Sequence, residues 1–130
     1  MKPQEVLNKL EAQTKDQFLP IIGPVKGKVL VDVVKKHKPK RVLEIGTLVG
    51  YSAILMNMHL QRGSKITTIE IDPKTAIIAK SNFKKAGIAA MVDLKVGNAL
   101  DVIPKLVGPF DLLFLDAAKE EYFDYLILAE

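Results

Sequence analysis

The sequence contains no cysteine. This absence excludes a disulfide framework, a thiolate metal site and a cysteine nucleophile. The chain also lacks any apolar run near the ~20 residues of a membrane-spanning helix, and its first residues lack the apolar segment of a signal peptide. We therefore expect a cytoplasmic protein. Its 130 residues, 48% of them apolar and 26% charged, are enough for one domain with one hydrophobic core.

Acidic residues are scarce in one stretch of the chain. The net charge is only +4, which does not by itself indicate nucleic-acid binding, and no aromatic residues are interleaved with the basic ones as single-strand binding requires. Between residues 26 and 41, Asp32 is the one acid among these basic residues: Lys26, Lys28, Lys35, Lys36, Lys38, Lys40 and Arg41. A solvated helix face explains the pattern, and a surface that steers anionic substrates or phosphates is the alternative.

Hydrophobic periodicity predicts two N-terminal helices, at residues 4–18 and 25–37, followed by alternating strands and helices. The predicted strands are 41–46, 65–71, 91–96 and 110–115, and the predicted helices are 51–62, 73–86, 101–106 and 119–130. Such alternation is typical of βαβ units and predicts an α/β fold with a parallel sheet of about four strands. We expect one domain over residues 1–130, with N-terminal helices in 1–38 and a βαβ core in 39–130.

The most informative motif is a strand, turn and helix that reads Arg41-Val-Leu-Glu-Ile-Gly-Thr-Leu-Val-Gly-Tyr-Ser52. Gly46 and Gly50 let the turn backbone approach a ligand closely, because glycine has no Cβ and tolerates positive φ. The N-terminus of the following helix offers free N–H groups to an anionic or polar ligand. The motif is not a complete G-x-G-x-x-G, since Leu48 takes the middle position.

Polar residues also lie at or just after the ends of the other predicted strands, where ligands of parallel sheets bind. Glu70 can accept hydrogen bonds from two ribose hydroxyls, or it is a surface acid. Asn98 can meet an adenine edge, or it caps a helix. Asp116 can ligate Mg²⁺ and Lys119 can act as a general base, or they are a capping acid and an exposed lysine. The glycine turn and acid alone also fit a nicotinamide-binding oxidoreductase.

Together these motifs resemble the S-adenosylmethionine (SAM)-dependent O-methyltransferases of the catechol and caffeoyl-CoA O-methyltransferase type. The resemblance covers about residues 20–130. The matching segments, in order, are residues 23–28, 42–52, 66–73, 96–104 and 110–119. The resemblance implies a Rossmann-like class I methyltransferase fold and a methyl transfer to a catechol-like hydroxyl with Mg²⁺ assistance.

The resemblance also implies roles for individual residues. The methionine end of SAM would meet Glu44, Gly46, Gly50, Tyr51 and Ser52, with the loop at Ile21–Ile22 closing over it. Glu70 would hold the ribose. The remaining implied roles are adenine contacts by Ile71, Asn98 and Ala99, a metal-ligand and cofactor-side role for Asp116, and proton removal by Lys119.

The family sheet has seven strands and takes further metal ligands from a later strand. This chain ends at Glu130, so we expect about four strands here, and a binding module without turnover is the alternative function. The edge of the fourth predicted strand would then be open and would invite a second copy or a partner chain. No nucleic-acid or membrane partner is expected, and a small hydroxyl acceptor is.

Overall fold

The computed structural model describes residues 2–13, 23–117 and 122–127, with side chains described in 2–13 and 23–115. The helices are α1 (Pro3–Gln13), α2 (Gly23–His37), α3 (Tyr51–Asn57), α4 (Pro73–Ala86) and α5 (Ala99–Val102). The strands are β1 (Arg41–Ile45), β2 (Lys65–Glu70), β3 (Val92–Val96), β4 (Leu112–Ala117) and β5 (Tyr122–Ile127). Short 3₁₀ turns occupy Ala89–Met91 and Ile103–Lys105.

The strands form a single sheet in the order β3-β2-β1-β4-β5. β1 to β4 are parallel, and β5 pairs with β4 in the antiparallel sense. The chain moves outward from β1 to β3 and then returns to place β4 on the other side of β1. The order therefore reverses between β1 and β4, which is the place where open α/β sheets bind ligands. The predicted four-stranded parallel sheet with flanking helices is confirmed.

One face of the sheet carries the main hydrophobic core, which packs against α1, α2, α3 and α4. Val42, Ile66 and Phe114 point to this face. They meet Leu7 of α1 and a set of helix residues that comprises Leu30, Val34, Ile54, Met56, Ala79 and Phe83. Burial of these side chains removes apolar surface from water at roughly 25 cal/mol per Å², so the helical layer holds the glycine turn against the sheet.

Local punctuation sets the ends of α4 as the sequence predicts. Asp72 caps the helix and accepts a hydrogen bond from the backbone N–H of Lys74 at 3.0 Å. Pro73 occupies the first helical position, and Gly87 ends the helix with φ 76°. Hydrogen bonds from the Thr75 hydroxyl and the Lys74 N–H hold the pKa of Asp72 below its ordinary value.

Most other predicted elements are present with shifted ends. α1 ends at Gln13 within the described residues, and positions 14–18 of the predicted helix lie outside them. α3 ends at Asn57 rather than at 62, and turns follow it. The lysines of the basic stretch are exposed on α2 and after it, whereas Arg41 is half-buried at the start of β1. In the described part of the chain, no helix is long and apolar enough to cross a membrane.

The helix predicted at 119–130 is wrong, because residues 122–127 form β5. The segment is rich in aromatic and β-branched residues, which favour strands. This segment pairs along the edge of β4, with Leu112 opposite Ile127 at one end of the pairing and Ala117 opposite Tyr122 at the other. The described β4 edge is therefore covered by the chain itself, contrary to our expectation of an open edge. The homodimer or partner chain remains a prediction, and an open β4 edge no longer supports it.

Candidate functional site

The turn between β1 and α3 folds back onto the end of β2. Gly46 and Gly50 have φ values of 96° and 95°, which L residues rarely adopt. The N–H groups of Gly46 and Thr47 donate to the carbonyl of Ile69 at 2.9 and 3.1 Å. Leu48, in the position of the missing glycine, also has a positive φ of 53°. Its left-handed backbone costs about 1–2 kcal/mol, so the turn imposes the shape that a glycine would adopt freely.

Glu70 fixes this strained residue. One carboxylate oxygen, Oε1, accepts the N–H of Leu48 at 2.8 Å, and the other, Oε2, accepts the N–H of Asp72 at 3.0 Å. The side chain is only 4% exposed. Because an ionised carboxylate has about four acceptor positions, these two bonds leave capacity for hydroxyl donors. Glu70 thus joins the glycine turn to the β2–α4 loop and can still bind a ribose.

A buried polar network lies beneath the turn. Glu44 accepts hydrogen bonds from the hydroxyl of Ser52 and, at 2.6 Å, from that of Thr68. The hydroxyls of Thr47 and Thr68 are 2.6 Å apart. All four side chains are buried. The predicted cofactor residues Glu44 and Ser52 are therefore brought together, with their side chains bonded to each other beneath the turn.

Tyr51, another predicted cofactor residue, directs its hydroxyl to the N-terminal helix. It donates a hydrogen bond to Glu11 of α1. Burial, then this hydrogen bond and the nearby charge of Glu11, raise the pKa of Tyr51 far above its ordinary value of 10. No described side chain caps α3, so the backbone N–H groups at its start are available to an anionic group. Tyr51 and Ser52 can therefore contact a ligand through their backbone N–H groups rather than through their side chains.

Two further residues hold the turn from below, and the sequence did not indicate them. Asn82 of α4 donates from Nδ2 to the carbonyl of Val49 at 2.7 Å, in a buried position. Phe83 packs so closely under Gly50 that a Cβ there would lie 2.8 Å from Cε1 of the ring. Helical spacing puts Phe83 on the apolar face of α4, but only the fold shows what Asn82 and Phe83 contact.

The predicted adenine residues lie at the ends of β2 and β3. Ile71 is 65% exposed directly after Glu70, so its side chain can pack on a flat ring. The N–H of Gly97 donates to the carbonyl of Glu70 at 2.9 Å, which joins the two loops. Asn98 caps α5, since Oδ1 accepts the N–H of Leu100 at 2.9 Å. Ala99 is half-buried beside it.

The structure describes the residues proposed for catalysis less completely than those proposed for cofactor binding. Asp116 lies in β4, near its carboxyl end and opposite Phe123, and its side chain is outside the described set. Ile22 and Lys119 lie outside the described residues. Among the described residues, no group of three or more His, Cys, Asp or Glu side chains could hold a metal. Mg²⁺ is usually held by one or two carboxylates and several waters, and the carboxylate that the sequence resemblance assigns to it is that of Asp116.

A parallel sheet with a glycine turn after β1 and a carboxylate at the end of β2 defines a Rossmann-like cofactor-binding protein. Comparison with family models identifies one family within this class. The model of the O-methyltransferase family matches residues 1–128, and the chain belongs to that family. This membership leaves the nicotinamide-binding alternative without support.

Relatives and solved structures that are similar to this chain are also O-methyltransferases. The chain is 40% identical over 108 residues to a catechol O-methyltransferase of Niastella koreensis, covering 80% of this chain and 49% of the relative. It is 42% identical over 106 residues to a catechol O-methyltransferase of Mycobacterium tuberculosis, covering 81% and 48%. The structure resembles the O-methyltransferase TomG of Streptomyces achromogenes, solved in complex with SAM, with a TM-score of 0.78, 34% identity and coverage of 87% and 53%.

An O-methyltransferase of Bacillus cereus, solved in complex with S-adenosylhomocysteine (SAH), gives a TM-score of 0.76 at 34% identity, covering 88% of this chain and 53% of that one. The chain thus spans about half the length of the relatives that it matches.

Proposed function

We propose that this chain supplies the SAM-binding half of a SAM-dependent O-methyltransferase. The observation that carries the proposal is the position of Glu70, whose carboxylate accepts the N–H of Leu48 in the glycine turn and keeps acceptor capacity at the carboxyl end of β2, beside the central strand β1. Family membership and the bound SAM and SAH of similar solved proteins support the same cofactor here.

Each part of SAM has a chemical counterpart at this site. The carboxylate of the methionine end suits the uncapped start of α3, where N–H groups and the helix dipole favour an anion. The ribose hydroxyls suit Glu70, and the adenine suits the exposed face of Ile71. These groups come from two segments, the β1–α3 turn and the end of β2, which the hydrogen bond from the Leu48 N–H to Glu70 already joins, so little ordering remains to be done on binding.

In the proposed reaction, an oxygen of the acceptor hydroxyl attacks the methyl carbon of the sulfonium. The carbon–sulfur bond breaks, its electron pair stays on sulfur, and SAH leaves. Lys119 is proposed to take the hydroxyl proton. Because the transfer needs oxygen, carbon and sulfur in line, the contribution of the SAM-binding half is chiefly positioning.

The catechol-like acceptor, the Mg²⁺ assistance and the cytoplasmic location are finer parts of the proposal. Relatives named catechol O-methyltransferase support the acceptor. Mg²⁺ rests on the sequence resemblance, with Asp116 as one ligand and others from outside the described residues. An assay with catechol and SAM, run with Mg²⁺ and with a chelator, tests both.

Calorimetry with SAM and SAH tests the cofactor site directly. Glu70→Ala is expected to weaken SAM binding by about 1–3 kcal/mol, because it removes charge-assisted hydrogen bonds. The matched control is Glu5→Ala, which removes an exposed carboxylate from α1 and should leave affinity unchanged. Equal affinities of the Glu70→Ala variant and the parent would refute the ribose assignment, and no binding by the parent would refute the proposal.

The alternative is a module that binds SAM without turnover. SAM binding without methyl transfer to catechol at any Mg²⁺ concentration would support this alternative over the enzyme.

A further inference from the structure

We propose that the sheet face opposite the glycine turn carries a second binding site, for a small organic anion with an apolar group. The site is a cavity of about 440 Å³ between β2, β3, α5 and the segment that leads into β4. We call it the basic cavity, and its polar lining residues are Arg41, Thr67, Asp93, Lys95 and Lys105. It does not depend on the proposed methyl transfer.

The register of the sheet places the basic cavity away from the SAM site. Thr67 lies opposite Asp93 in the β2–β3 pair. Its neighbours in β2, Ile66 and Thr68, are fully buried on the helical face. Because side chains alternate along a strand, Thr67 and Asp93 belong to the other face. Arg41 opens β1, at the end of the strand opposite to the glycine turn.

The charge of the lining favours an anion. Three cations, Arg41, Lys95 and Lys105, line the cavity with one acid, Asp93. The acid is already paired, since its Oδ2 lies 3.4 Å from the Nζ of Lys95. Arg41 and Lys105 therefore supply positive charge beyond what Asp93 offsets, in a concave place where the potential is strengthened by the surrounding protein.

Arg41 is held in place before any ligand arrives. Its Nη2 donates to the carbonyl of Val107 at 2.8 Å, and its guanidinium lies 5.1 Å from the centre of the Phe110 ring. A guanidinium has five N–H donors in a fixed plane, so one such bond leaves others for a carboxylate or phosphate. Fixing the donor in advance lowers the entropy cost of binding.

The rest of the wall is apolar. Phe110 and the side chains of Val96, Val102, Leu106 and Val107 complete the lining. Small-molecule sites combine such a wall with a few fixed polar groups. The cavity thus selects an anionic group joined to an aromatic or aliphatic one, rather than a bare inorganic anion.

The test is a titration of the whole chain, without SAM, followed by NMR and calorimetry. The probes are 1-naphthyl phosphate, inorganic phosphate and 1-naphthol. We expect 1-naphthyl phosphate to bind at least about tenfold more tightly than either of the others, because it alone meets both parts of the lining. Shifts should centre on Thr67, Lys95 and Phe110. Equally tight binding of 1-naphthol, or shifts confined to other residues, would overturn the proposal.

Matched lysine variants separate a site from general charge attraction. Lys105→Gln removes a cavity cation, and Lys84→Gln removes an exposed lysine from α4. We expect Lys105→Gln to weaken 1-naphthyl phosphate binding about two- to fivefold, as for one partly exposed ion pair, and Lys84→Gln to have no effect. Equal effects of the two variants, or none from Lys105→Gln, would contradict the assignment. SAM affinity, measured separately, reports on the proposed cofactor site.

Discussion

At the scale of single residues, Gly50 has two reasons to be glycine. Its φ of 95° is unfavourable for any residue with a Cβ. The space next to its Cα is also occupied, since a Cβ would lie 2.8 Å from the Phe83 ring. The ring is itself buried in the core, so it cannot move away without disturbing α4.

Comparison with Gly63 separates the two reasons. Gly63 has a similar φ of 88°, but a Cβ added there would meet nothing within 4 Å. Gly63→Ala should cost about 1–2 kcal/mol from backbone strain alone, and Gly50→Ala should cost about 1–3 kcal/mol more because of overpacking. Urea denaturation of both variants measures the difference. Equal losses would show that Phe83 yields to the added methyl group.

Two substitutions can show whether Asn98 caps α5, contacts the adenine or does both. Asn98→Ala should lower the free energy of unfolding by about 1 kcal/mol through loss of the cap, whereas Asn98→Asp keeps a good capping oxygen. An adenine contact through Nδ2 would be separate from the cap, in which Oδ1 accepts the Leu100 N–H, and Asn98→Asp replaces Nδ2 by an oxygen. Asn98→Asp should therefore keep stability but weaken SAM binding. Unchanged SAM affinity in this variant would exclude an adenine contact through Nδ2.

At the scale of elements, α1 is tied to the start of α3 by a polar contact that lies among apolar ones. Val6, Leu7 and Leu10 are buried, and Tyr51 donates to Glu11. α1 therefore rests on the same residue that opens the helix after the glycine turn. Movement of α1 and of the turn should be coupled through this bond.

Tyr51→Phe tests that coupling and carries a pH signature. Loss of the hydroxyl should cost about 1–2 kcal/mol at pH 8, because Glu11 loses a donor. Since the folded protein raises the pKa of Tyr51 above the unfolded value of 10, the unfolded chain loses the proton first. The stabilisation is complete below pH 10 and falls as the pH rises above it. Denaturation from pH 8 to 11 should show the two proteins converging, and a constant difference would contradict this.

The elements that sequence alone predicted well are those with local signals at both ends. α4 is the clearest, because Asp72, Pro73 and Gly87 act on their own neighbours. The segment at 122–127 was mispredicted because its short apolar pattern fits either period, and the choice depends on the edge of β4. Likewise Gly46 and Glu70 were found from their place after strands, whereas the Thr47–Thr68 contact depends on which strands lie side by side.

At the scale of the whole molecule, the sheet order predicts a gradient of stability. β1 is central, with β2 and β4 on its two sides, whereas β3 and β5 each pair with only one described strand. Local opening needs less free energy at an edge than at the centre of a sheet. Among the described strands, β5 pairs with β4 alone, so we expect it to open more readily than β1.

Amide hydrogen exchange followed by NMR tests the gradient and the strand together. We expect the slowest exchange in β1, and faster but measurable protection in β5, because opening an edge strand leaves the core intact. Cross-strand contacts should join Leu113 to Leu126 and Phe114 to Tyr125, as the register requires. Strong sequential amide–amide contacts through 122–127 would instead indicate the helix that the sequence pattern favoured. The β4 edge would then be open, and concentration-dependent association of the chain should accompany that result.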